Sequence, residues 1–104
     1  MEFTAEQLKQ FDGTNKDQPV YVAIKGTVFD VTSNREQYSP GQGYSVFAGK
    51  DASRALAKSS LRIEDCIADI TGLNEEETQT LDKWVSFFTK KYPVVGKIGG
   101  KASI

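Results

Sequence analysis

The segment from Asn74 to Pro93 constrains the fold more than any other part of this chain. Leu81, Trp84, Val85 and Phe88 recur at the i, i+3, i+4, i+7 spacing of one helix face. Asn74 stands where an N-cap belongs, and Glu77 three residues later completes a capping box. Glu75 and Glu76 favour the positive end of the helix dipole, and Lys90 and Lys91 the negative end. Tyr92-Pro93 stops the helix, because proline disfavours helical backbone before it. A helix with a single apolar stripe must bury that stripe against other elements. Every other periodic segment of the 104 residues is much shorter, so the long helix has to pack on short helices and a small sheet.

Those short elements have their own signals. Thr4 caps a first helix, with Gln7 at the capping-box position and Phe3 and Leu8 as its hydrophobic staple; Asp12-Gly13 ends it. Pro19 to Thr32 predicts a hairpin: Val20, Val22 and Ile24 alternate with Tyr21, Ala23 and Lys25, the turn is Lys25-Gly26, and Phe29 and Val31 share one face of the second strand. Ser33 to Gly43 is rich in polar residues, Gly and Pro and predicts a loop. Ser45 to Ala48 predicts a short helix ended by Gly49, and Asp51 is placed to cap another over Ala52 to Lys58. Ile63, Ile67 and Ile70 have the spacing of a third short helix. Val94, Val95 and Ile98 predict a final strand. The expected organisation is one domain over residues 1–98 and a flexible C-terminal tail over 99–104.

Composition narrows the chemistry. The net charge of −1, without a basic stripe, gives no electrostatic footprint for nucleic acid. One cysteine, Cys66, leaves no internal disulfide and reads as a small buried or half-buried hydrophobe. No apolar run is long enough for a transmembrane segment. The most informative number is zero histidines. It removes the usual general base of catalytic triads, the commonest zinc ligand and any bis-histidine haem site. With no phosphate loop or dinucleotide fingerprint either, a binding role is expected and an enzyme reaction is not.

The segment that calls for an explanation is Tyr38-Ser39-Pro40-Gly41-Gln42-Gly43-Tyr44-Ser45-Val46-Phe47-Ala48-Gly49. Physically it is a glycine-bearing loop that delivers two phenols to a short-helix region, where backbone can approach a flat ligand closely. A phenol oxygen can ligate ferric iron. A free phenol titrates near ~10, so metal attraction would couple ligation to deprotonation. The alternative is packing, with the tyrosine rings in the core and their hydroxyls reaching solvent. Trp84 and Phe88 need no ligand to account for them.

The chain resembles the membrane-associated progesterone receptor family, among the cytochrome-b5-like haem/steroid-binding domains. The matching stretches are Phe3 to Leu8, Val22 to Thr32, Tyr44 to Ala57 with its specific Phe-Ala-Gly-Lys-Asp-Ala-Ser-Arg run, and Trp84 to Lys97. Its length is most similar to the short soluble plant steroid-binding members. The His-Pro-Gly-Gly haem loop of cytochrome b5 is replaced here by Ser39-Pro40-Gly41-Gln42.

The resemblance implies an α+β, cytochrome-b5-like haem/steroid-binding fold: a small mixed sheet, with short helices around a cleft. It implies haem b, Fe(III) protoporphyrin IX, held by Tyr44 as the axial metal ligand, with Tyr38 beside the haem and Lys91 and Tyr92 supporting it from the long helix. Lys50, Arg54 or Lys58 would then meet the haem propionates, or else remain solvated helix charges. The resemblance also implies steroid or another apolar small molecule as an alternative ligand of the same cleft, and cytochrome P450 enzymes as partners. A single axial ligand would leave one haem face open for a haem-mediated homodimer. A third reading is an interaction module without a ligand. The expected location is cytoplasmic or nuclear, or peripheral to endomembranes.

Overall fold

The computed structural model describes residues 2–98; the expected tail at 99–104 lies outside them. Four strands, β1 (Glu2–Phe3), β2 (Tyr21–Ile24), β3 (Thr27–Asp30) and β4 (Val94–Ile98), form one sheet in the order β1-β4-β3-β2. β1 runs parallel to β4, and the other neighbours are antiparallel, so the sheet is mixed. Four helices accompany it: α1 (Ala5–Leu8), α2 (Arg35–Tyr38), α3 (Ser53–Ala57) and α4 (Glu75–Lys91).

Strand alternation divides the core in two. Val22, Ile24 and Phe29 face a larger cluster with Leu56 of α3 and Leu81 and Phe88 of α4. Ala23 and Val28 point the other way, onto Phe3 and Leu8. The long helix is secured where its sequence requires: both halves of the Asn74–Glu77 capping box form, and Phe88 meets Phe29 edge-on with ring centroids 5.4 Å apart. Such a pair adds about 0.5–1.5 kcal/mol beyond the area it buries.

The hairpin turn is as the sequence predicts. Lys25 (φ 52°) and Gly26 (φ 80°) are both left-handed, the combination that matches the twist of a tight hairpin. Lys25 is not glycine, so its backbone needs outside support. The Lys25 N–H donates to Ser53 Oγ at 2.7 Å and the Gly26 N–H to Asp51 Oδ2 at 3.1 Å. Residues 49–52 run as a strap beside β2: Ala23 N–H donates to Lys50 O, Ala52 N–H to Ala23 O, and Gly49 N–H to Tyr21 O.

Three local expectations are corrected. Ser33 to Gly43 is not all loop, because a 3₁₀ turn at Thr32–Asn34 leads into α2. Arg35-Glu36-Gln37 are good helix formers, and Pro40 ends the helix by holding Ser39 extended (ψ 158°). Asp51 does not occupy the N-cap of α3; that position is Ala52, without a side-chain cap. Asp51 accepts from the N–H and Oγ of Ser53 with one carboxylate oxygen and from the hairpin turn with the other. Ile63, Ile67 and Ile70 do not build a third helix. Only Ile63–Asp65 coils, as one 3₁₀ turn, and all three isoleucines are exposed.

Candidate functional site

The tyrosine loop folds back on α2. Ser39 Oγ donates to Arg35 O at 2.7 Å, Gln42 N–H to Ser39 O at 3.0 Å and Tyr44 N–H to Gln37 O at 3.1 Å. This reversal sets Tyr44 over the end of α2, its ring centroid 5.7 Å from Tyr38. On its other side Tyr44 stacks on Phe47 at 5.7 Å and 25°. The two phenols differ sharply in environment: Tyr44 is 39% exposed and Tyr38 only 4%.

Tyr92 enters from the far end of α4. Its N–H closes the helix on Phe88 O, its ring packs 5.1 Å from Phe88, and it is buried. Asn34 Nδ2 donates to Tyr92 Oη at 3.0 Å. Burial pushes the Tyr38 phenol far above its ordinary value, helped by a hydrogen bond and charge repulsion from Tyr92 and repulsion from Tyr44. Tyr38 is therefore a neutral phenol throughout the physiological range. Lys91 is exposed at the rim, with Nζ 5.4 Å from the Phe87 ring centre and 5.9 Å from that of Tyr92.

Tyr38, Tyr44 and Tyr92 thus gather at one place, with Lys91 beside Tyr92. The donor set suits an iron porphyrin held by oxygen: one phenol is open to solvent, backed by an aromatic ring and by a buried phenol that stays neutral. Two of the propionate candidates are otherwise engaged. The Arg54 guanidinium donates to Asp69 O and Thr71 O at 3.1 and 2.9 Å, and Lys58 pairs with Glu77 at 3.2 Å. Asn34 escaped the sequence analysis. It stands 58 residues from Tyr92, and an asparagine at a helix start ordinarily signals a cap.

A recess of about 570 Å³ lies elsewhere, between α1, the strap and residues 66–68, and none of these four residues lines it. No helix among the described residues is long and apolar enough to cross a membrane, and no cluster of His, Cys, Asp and Glu among them could hold a metal ion.

The mixed sheet, the short helices and the phenol cluster at the mouth of α2 define a cytochrome-b5-like α+β binding domain. Residues 4–99 match the model of the Cytochrome b5-like Heme/Steroid binding domain, and the chain belongs to that family. It is 56% identical to "Probable steroid-binding protein 3" of Arabidopsis thaliana over 94% of this chain and 98% of that one. It is 47% identical to "Membrane steroid-binding protein 2" of the same plant over 96% of this chain, which corresponds to 43% of that longer protein. A solved Arabidopsis thaliana structure described as having a cytochrome b5 like fold superposes with a TM-score of 0.87 at 54% identity, covering 96% of this chain and 92% of that one.

Proposed function

We propose that this chain is a haem-binding regulatory or carrier domain in which Tyr44 is the axial oxygen ligand of ferric haem b. The observation that carries the reading is the contrast between an exposed Tyr44 and the buried, neutral Tyr38 beneath it. In a chain without histidine, the commonest axial nitrogen donor is missing, and the exposed Tyr44 phenol offers an oxygen in its place.

Each neighbouring residue has a separate task. Tyr38, kept neutral by burial, adds no negative charge beside Tyr44. Phe47 stacks against the Tyr44 ring. Asn34 fixes the Tyr92 hydroxyl, and Lys91 supplies a positive charge at the rim. Haem b held there would supply a ferric Lewis acid and a visible chromophore. An anionic oxygen favours the higher iron charge, which suits binding and sensing better than rapid electron transfer.

Haemin titration followed by absorption tests the reading. The wild type should give a saturable, tyrosinate-type spectrum. Tyr44→Phe should lose that signature and bind at least about tenfold more weakly, the loss of one charge-assisted contact. Unchanged affinity and spectrum in Tyr44→Phe would overturn the assignment.

A further inference from the structure

We propose that the recess beside α1 is a separate ligand site, for an uncharged apolar small molecule, independent of the tyrosine cluster. Its walls come from three places in the chain: Leu8 of α1, Ala48 and Gly49 of the strap, and Cys66, Ile67 and Ala68 of the following loop. At about 570 Å³ it falls within the size range of small-molecule pockets, roughly 300–1,000 Å³.

The walls of the recess touch at one point, Gly49 against Asp12. A Cβ on Gly49 would lie 2.7 Å from Asp12 Cβ and 3.1 Å from Asp12 Cα. The strap and the end of α1 are therefore already in contact at that point, and Gly49 (φ +74°) is what permits it. Beyond the contact the walls carry small side chains, Ala48 and Ala68, and the space between them stays open.

The rim specifies the charge of the occupant. Lys9, Asp12, Lys50 and Asp51 border the recess, and their formal charges cancel. Each already has a partner in the fold. Lys9 pairs with Glu6 at 3.1 Å, and Lys50 Nζ donates to Ala48 O at 3.4 Å. Asp12 accepts from the Thr14 N–H and hydroxyl, and Asp51 from Ser53 and Gly26. Among the described residues no buried side-chain nitrogen or oxygen lacks a hydrogen-bond partner. A charged ligand would meet rim charges of both signs, two lysines and two aspartates, and be repelled by one pair as it is attracted by the other. An uncharged apolar molecule meets no such cost, because its contacts would be with Leu8, Ala48, Ile67 and Ala68. Burial also pushes the Cys66 thiol up, which fits a wall of low polarity. Ile67, 44% exposed, stands where a bound molecule would cover it.

The inference does not depend on haem at Tyr44, and one experiment separates the two. The neutral fluorophore N-phenyl-1-naphthylamine is titrated into the protein, with its emission as the readout. One saturable site is expected. Ile67→Asp should weaken it about tenfold or more by placing a charge in the apolar wall, and Ala68→Phe should weaken it by filling the space. Both positions are exposed, and circular dichroism checks that both variants fold. Tyr44→Phe should bind the probe as the wild type does, whatever its response to haemin. The proposal is overturned if emission rises without saturating, or if Ile67→Asp and Ala68→Phe bind the probe unchanged. It is equally overturned if Tyr44→Phe abolishes binding, or if binding tracks self-association on concentration, which would make the occupant a second copy of the chain.

Discussion

α4 and the stretch from Ser60 to Gly72 begin with similar apolar spacing and end as opposite structures. Leu81 and Phe88 of α4 are buried, whereas Leu61, Ile63, Ile67 and Ile70 stay exposed. The difference lies in the ends and in the partner surface. α4 has a closed capping box, an acidic first turn and a basic last turn, and its stripe meets Phe29 and α3. The second stretch has no such cap, and Gly72 interrupts it at φ +79°. Polar bonds hold it instead: Arg54 to Asp69 and Thr71 carbonyls, and Ser60 Oγ to Asp65. Apolar periodicity makes a helix only where the ends are satisfied and a complementary face is available.

Three substitutions sharpen this contrast. Phe88→Ala removes a fully buried ring where α4 meets the sheet and should cost about 3–5 kcal/mol in urea unfolding. A loss below about 1 kcal/mol would mean that α4 is not anchored by its stripe. Asn74→Ala opens the capping box and should cost about 1 kcal/mol. Acid probes the same corner. The backbone N–H of Asn74, and then Lys58, hold the Glu77 carboxyl below its usual 4.5. Its stabilising contribution is therefore complete above 4.5 and is lost as the pH falls through the lowered value. Amide protection factors at Glu77 and Thr78, corrected for the intrinsic slowing of exchange in acid, should fall in that range while those near Tyr92 stay unchanged. Ile63→Ser should change stability by no more than about 0.5 kcal/mol, because the side chain is 59% exposed. A larger loss would show that the stretch is packed after all.

The same contrast explains what could be read in advance. The hairpin was legible because alternation and a two-residue turn act over neighbouring positions, and α4 because its caps and stripe do. The family was legible from runs such as Phe47 to Arg54. The separate environments of Tyr38 and Tyr44 were not, since two phenols in one loop look alike until α2 covers one of them. Asp51 resembled a cap because an acid before a short helix usually is one. Its second oxygen serves a turn 25 residues away, and no local pattern encodes that. The recess beside α1 depends on three segments that meet only in space.

The strap along β2 has one more effect. β2 is an outer strand of the sheet, and an outer strand ordinarily offers a row of unpaired amides and carbonyls to any extended chain. Here Ala23 pairs in parallel with Asp51, and Tyr21 receives Gly49. The opposite margin is β1, two residues long. A foreign strand would find the β2 margin already occupied by the strap and only a two-residue strand to pair with at the other border, the short-edge arrangement that blunts sheet-to-sheet growth.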